Sequence, residues 1–275
     1  DAWHVPNLSG QVNGLLEHAP DHDYIVGWLD TTAQGKALGR GQIHAANNLK
    51  EGEDPNAQET MKLSHQHLPS RLFGVMPKRL LHYFMNPFLN NLGVNLINTA
   101  KYISALRDHT FRQSHAEYHF LLDYVPDWER SFGRGGLIQY QSFVPKETAE
   151  DAWRKILELS HKNRLPSYLG VTKRHRPDAF LLTHAVDGFS LAMDFKVTDK
   201  NRERLREQLQ EFDRIVIEAG GRFYFAKNSE TSAETTRAFL GAETIAKFKK
   251  LKKRCDPNGL LESDLYRRIF SRGTS

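Results

Sequence analysis

The sequence has 275 residues, 39% hydrophobic and 26% charged, with a formal net charge of +5. That composition belongs to a globular chain of one large or two small domains and excludes long disorder. The single cysteine, Cys255, excludes an intramolecular disulfide and a multi-cysteine zinc site, and the small basic excess permits an acidic partner without requiring one.

The chain opens Asp1-Ala2-Trp3-His4-Val5, with neither an initiator methionine nor the basic and apolar regions of a leader, which reads as an internal start. Residues 1–23 read as a lead-in segment. Tyr24 to Asp30 is β-branched and aromatic and predicts a strand. A loop rich in glycine, asparagine and charge is expected from Thr31 to Ser70; within it, His65-Gln66-His67 lacks a third ligand at metal spacing and reads as loop. Helical segments are expected from Arg79 to Leu106, broken near Pro87 and Gly93. The apolar run Leu80–Leu106 is interrupted by Asn86, Asn90, Asn91, Asn95, Asn98 and Lys101, so it predicts an interfacial or partner-facing helix before a membrane span.

From Gly135 onward the pattern sharpens. Gly136 to Val144 alternates as a strand and Pro145 ends it. Thr148 with Asp151 three residues on reads as a capping box for a helix carrying Ala149, Ala152, Trp153, Ile156 and Leu157. Strands are expected at Ser167–His175 and Phe189–Val197. Thr198 or Asp199 is expected to cap a helix with the stripe Leu205, Leu209, Phe212 and Val216, stopped by Gly220-Gly221. A fourth strand, Arg222 to Ala226, completes a β-α-β-β-α-β order over residues 135–227. The expected class is α+β, a ferredoxin-like antiparallel sheet with helices on one face and additional helical segments at Ala233–Leu240 and Glu243–Arg254.

Alternation assigns the faces. Phe189, Leu191, Met193, Phe195 and Val197 share one side of the third strand, and Ser190, Ala192 and Asp194 the other. Ile138, Tyr140 and Val144 oppose Gln139, Gln141 and Phe143. The face without helices therefore carries glutamines, small residues and lysine, and two readings stand: a solvated open face or a polar binding floor. Gly39-Arg40-Gly41 and Gly133-Arg134-Gly135-Gly136 are turns, neither a Walker loop nor a dinucleotide fingerprint. Lys173-Arg174-His175-Arg176 is a basic cluster that suits either phosphate or a solvated loop. Lys247, Lys249, Lys250, Lys252, Lys253 and Arg254 read as a solvated helix face. RNA binding is not expected, because the third strand lacks the RNP1 pattern and the face lacks paired stacking aromatics.

Several stretches in order and spacing resemble the vanillyl-alcohol-oxidase-type FAD-dependent oxidoreductases. These are Trp128-Glu129-Arg130-Ser131-Phe132-Gly133, Gly136-Leu137-Ile138-Gln139-Tyr140-Gln141, the run Gly220 to Ser229, and Asp256-Pro257-Asn258-Gly259 with Ser263-Asp264-Leu265-Tyr266-Arg267-Arg268. Tyr24 to Asp30 with Leu38-Gly39-Arg40-Gly41 matches the start of that family's cap domain. The resemblance implies that residues 24–227 are a substrate-binding cap around the 135–227 core. It implies that residues 1–23 follow an FAD-binding domain and that residues 228–275 return toward it as a helical segment. It implies oxidation of an alcohol carbon, on a sugar or polyol, with hydride passing to FAD. Lys227 falls at the family's catalytic lysine and, with Tyr224, beside the cofactor; Gln139, Gln141, Lys173, His119, Trp128 and Ser190 fall at substrate positions. No metal is implied. The chain departs from the family's prenyl-sugar enzymes at His119, where they carry tyrosine before Pro-Leu-Asp and this chain has Phe120-Leu121-Leu122-Asp123. It departs also at Ser190 and Ala192, where they carry asparagine and cysteine. The resemblance thus carries the flavin chemistry further than the substrate. Its implied partners are the FAD-binding domain and a small sugar-like substrate. The expected location is cytoplasmic or peripheral to a membrane, and the chain alone is expected to be inactive. The contrasting class is a non-enzymatic ligand-binding or assembly module on a degenerate cap.

Overall fold

The computed structural model describes residues 1–68, 70–72, 75–104, 106–107, 109–120 and 125–271. Its elements run β1 (Ala2–Val5), α1 (Leu8–His18), β2 (Tyr24–Leu29), β3 (Gly41–Ala46), α2 (Ala57–Thr60), β4 (Arg71–Leu72), β5 (Met76–Pro77), α3 (Leu81–Met85), α4 (Asn91–Ser104) and α5 (His115–His119). They continue with β6 (Leu137–Pro145), α6 (Ala149–Lys162), β7 (Leu169–His175), β8 (Gly188–Lys196), α7 (Arg202–Glu218), β9 (Arg222–Phe223), α8 (Ala233–Leu240), α9 (Ala242–Cys255) and α10 (Asp264–Tyr266). The class is α+β. Seven strands form one open sheet, β1-β3-β2-β7-β8-β6-β9, antiparallel at every step.

One face of the sheet is the core. Ile138, Tyr140 and Val144 of β6 and Phe189, Leu191, Met193 and Phe195 of β8 are buried there with Leu29, Ile43 and Val5. The long helices answer with matching stripes: Leu8, Val12 and Leu15 from α1; Ala149, Ala152, Trp153, Ile156 and Leu157 from α6; Leu205, Leu209, Phe212 and Val216 from α7. Burying each such large side chain stabilises by about 1.5–3 kcal/mol, so this layer holds most of the folding free energy.

The lead-in segment and the expected loop hold more order than the sequence predicts. α1 is capped by Asn7, whose side chain accepts from the Gly10 amide, and β1 and β3 extend the sheet. Of the two breaks expected in the Arg79–Leu106 stretch, the one near Pro87 is present at residues 86–90 and the one at Gly93 is not. Gly93 lies within α4 because its missing Cβ lets the helix start against the Phe88 backbone, 2.3 Å from where that Cβ would sit. The Thr148 capping box does not form. The Thr148 hydroxyl donates to Ala219 O, 2.8 Å away, and ties this turn to the end of α7. Neither Thr198 nor Asp199 caps α7. Asn201 occupies that position with its side chain turned back, accepting from the Thr198 amide and donating to Lys196 O. The fourth strand is two residues long, not five. After Phe223 the chain turns, with the Lys227 and Asn228 amides donating to Tyr224 O. Asn228 then completes the ladder with its side chain, accepting from the Gln141 amide at 2.7 Å and donating to Gln141 O at 3.1 Å. An amide side chain carries a donor and an acceptor and so stands in for a strand residue.

The stretch between β3 and β6 lies over the other face. Tyr118 of α5 donates to His44 O, Tyr102 of α4 packs at a tilt against His4, and Lys196 of β8 donates to Leu89 O. No helix among the described residues is long and apolar enough to cross a membrane.

Candidate functional site

Ladder register sets up the site. Gln139 pairs with Asp194, Gln141 with Ala192 and Phe143 with Ser190 across β6 and β8, and Lys173 of β7 pairs with Ser190. Paired residues share a face, so Gln139, Gln141, Lys173, His175, Ser190, Ala192 and Asp194 form a mostly polar floor on the side away from the long helices. The floor is internally bonded. Gln139 Nε2 donates to Asp194 Oδ1 at 3.0 Å and Gln141 Nε2 to Ser190 Oγ at 3.3 Å. His175 Nε2 shares a hydrogen bond with Ser190 Oγ at 2.8 Å. Ser190 is fully buried beneath these partners.

The charges on this floor are tuned. Burial holds the Asp194 carboxyl above its ordinary value; the Gln139 hydrogen bond and the Lys227 cation pull the other way. Burial also depresses His175 to about 4, helped by His184, Lys173 and Arg174, so its ring is neutral at physiological pH. Lys173 is exposed as a whole residue, yet its pKa is lowered, first by desolvation and then by Lys227. Lys227 thus acts electrostatically on both Lys173 and Asp194, although it stands in a turn beyond β9. Strand alternation would put Lys227 on the side of Phe223 and Phe225; instead those two enter the core, and the turn after Phe223 brings Lys227 to the floor side, where it acts on Lys173 and Asp194. Tyr224 lies beside His184, ring centroids 4.8 Å apart, and His184 lies 4.4 Å from Phe143, forming an aromatic wall at the β9 side.

Six of the expected residues, Gln139, Gln141, Lys173, Ser190, Tyr224 and Lys227, are thereby brought to one surface. His119 stands apart from this row. It packs edge-on against Tyr24, centroids 4.5 Å apart, and shares with Lys173 and His175 the lining of a cleft of about 890 Å³ at the sheet's end. Residues Leu121 to Asp123, which follow it in the family comparison, lie outside the described residues. Trp128 is not on the floor. It packs with Leu89, Val94, Phe132 and Tyr168 in a separate small cluster. The sequence reading missed His175, Asp194, His184 and Asn228 as site members. For Asp194 the signal was present, since it alternates in phase with Ser190 and Ala192.

No family model matches the chain. The chain is 28% identical over 270 residues to decaprenylphosphoryl-beta-D-ribose oxidase of Mycolicibacterium smegmatis, a match covering 94% of this chain and 56% of that protein. The chain therefore spans little more than half of that relative's length. The likeness supports kinship with an FAD-linked oxidase.

Proposed function

We propose that this chain is the substrate-covering portion of an FAD-dependent oxidoreductase that oxidises an alcohol carbon of a sugar or polyol. The observation that carries the reading is the bonded polar floor of Gln139, Gln141, Ser190 and Asp194 with Lys173 and Lys227 beside it. The match along 94% of the chain to an oxidase adds weight. On this reading strands β9-β6-β8-β7 with α6 and α7 are a ferredoxin-like core. Residues 24–227 are the cap, and residues 228–275 turn back toward a flavin-binding domain in the same protein.

The residues present suit a flavin ring. Ser190 and Ala192 put small side chains at the middle of the floor, and Tyr224 and Lys227 stand at its β9 side, an aromatic ring and a cation of the kinds that pack on and polarise a flavin. FAD, when bound, accepts the hydride. Gln139 and Gln141, each fixed by a partner on β8, orient substrate hydroxyls, and Lys173 adds a cation at the edge. Lys227 stabilises negative charge building on the substrate oxygen as hydride leaves carbon, an interaction stronger in the transition state than in the ground state. His119 lines the cleft at the Lys173 end of the floor, and Trp128, in its separate cluster with Phe132, takes no part in the floor itself.

The test is spectroscopic. The full-length protein is expected to purify with bound flavin, and anaerobic addition of sugars or polyols should bleach it for at least one substrate. The 275-residue chain alone is expected to bind FAD weakly and to show no oxidase activity. A colourless full-length protein that takes up no FAD would defeat the proposal.

A further inference from the structure

Helix α4 is amphipathic the wrong way round for a core element. Its polar side faces the protein. Asn95 donates to Thr32 Oγ1, Asn98 donates to the buried Asp30 carboxylate at 3.0 Å, and Thr99 accepts from Arg40 at 2.9 Å. The Lys101 ammonium lies over the Trp28 ring, 4.2 Å from its centroid; although the residue as a whole is exposed, desolvation there lowers its pKa to about 8. The opposite side carries Leu92, Leu96 and Ile103, which fall within a narrow arc at 100° per residue. These three are 70%, 59% and 58% exposed. Just before them in the chain, Tyr83, Phe84 and Phe88 are exposed as well. Monomeric proteins rarely leave this much contiguous apolar surface to water without a use for it.

Charge selects the occupant. Residues 71–107 contain Arg71, Lys78, Arg79, Lys101 and Arg107 and no aspartate or glutamate, and Asp108 follows as the next acid in the sequence. Arg71, Arg79 and Arg107 are exposed. A second copy docking by the same face would set like charges against one another. A helix of 14 residues is about 21 Å long, too short to span a bilayer but suited to lie along one. An apolar stripe on a segment whose exposed charges are arginine and lysine is the composition of an interfacial helix on anionic lipid.

We propose that the α3–α4 surface seats the protein on an anionic bilayer, with Leu92, Leu96 and Ile103 in the acyl boundary and Arg71, Arg79 and Arg107 among the headgroups. This does not rest on the flavin reading, and vesicle binding is measured without substrate or turnover. Flotation of the full-length protein with vesicles of phosphatidylcholine alone, and with phosphatidylglycerol added, tests it. Flotation is expected with the anionic vesicles and should weaken as salt is raised. The variant Leu92→Ser/Leu96→Ser/Ile103→Ser should bind on the order of 100-fold more weakly with unchanged Tm, since these side chains contact little protein. Arg79→Gln and Arg107→Gln should each weaken binding roughly fivefold. In the unmodified protein, anionic vesicles should slow hydrogen exchange at Asn91–Ser104, a readout that needs no variant. The proposal is overturned if the protein floats with neither vesicle type, or if the triple variant folds and floats unchanged. It is overturned equally if the stripe proves to be covered by a second copy or a protein partner, seen as a complex that the triple variant dissolves while lipid binding was never present.

Discussion

At the residue scale, Lys227 carries the sharpest expectation. On the proposed flavin reading, Lys227→Ala in the full-length protein should lower kcat by roughly 10²–10³-fold, the scale of losing one preorganised electrostatic partner, while flavin content and Tm persist. Because Lys227 also depresses Lys173, the same variant should raise the Lys173 pKa toward that of an ordinary lysine, a shift readable by NMR. Normal turnover with flavin retained would leave Lys227 a turn residue only. Which side chains share the floor was legible from period-two alternation alone: Ser190, Ala192 and Asp194 alternate with a run of five apolar residues. That Lys227 leaves the strand was not legible, because the turn depends on Asn228 reaching Gln141 across 87 positions. A second residue matters for stability. Asp213, nearly buried, accepts from Tyr140 and Thr235 and is raised to about 6 by desolvation. Its ionisation at neutral pH therefore opposes folding by on the order of 2–3 kcal/mol. Asp213→Asn keeps an acceptor for Tyr140 and removes the charge. Its Tm relative to the parent should rise between about pH 4 and 6 and level off above, and an unchanged difference across that range would count against the raised pKa.

At the scale of elements, one buried carboxylate organises the contacts under α4. Asp30 accepts from Arg40, Asn98 and both the amide and hydroxyl of Thr32, with Arg40 Nε at 2.9 Å. Asp30→Ala strands a half-buried guanidinium and several donors, and should destabilise by about 3–5 kcal/mol. Loss should be local first: hydrogen exchange of Asn91–Ser104 should quicken well before that of β6 and β8. Uniform quickening would show that α4 is not an independent unit. Elements β6 through α7 were legible because each is long and strongly periodic. β1, α1 and β3 were not: the strands are short, and α1 includes Gly10 and Gly14, which weaken a helical reading. The orientation of α4 was hidden for a different reason. Hydropathy alone would bury Leu92 and Leu96, and only the placement of Asp30 beneath the helix reverses the choice.

At the scale of the whole molecule, acid should loosen the sheet. His44, whose Nε2 donates to Gln42 Oε1 at 2.9 Å, and His175 are both depressed to about 4 by burial. The unfolded chain binds protons at these positions below about pH 6.5 and the native state does not, so stability falls as pH drops from 6.5 toward 4. Asp213 acts in the opposite sense: its raised pKa favours the native state as pH falls through 6, and that gain is complete near 4. A thermal-unfolding series should show Tm declining below pH 6.5. His44→Gln with His175→Gln should flatten that decline or reverse it through Asp213. An acid limb equally steep in the double variant would place the sensitivity elsewhere.

The seam between the two halves of the sheet bears on how the chain reaches this state. β2 meets β7 through only three register pairs, Gly27 with Thr172, Trp28 with Val171 and Leu29 with Gly170. Thr31 and Ser167, bonded beside that seam, are 136 residues apart in sequence. The β1-β3-β2 and β6-to-β9 halves each close over far shorter spans, so each can collapse early, whereas their union must wait for a large loop to close against a small enthalpic return. The searching time of the folding chain is concentrated at this joint. A ribosome delivers β7 only after the first half has been waiting, its β2 edge unpaired and open to strangers, and that interval is when the protein is most exposed to mispairing.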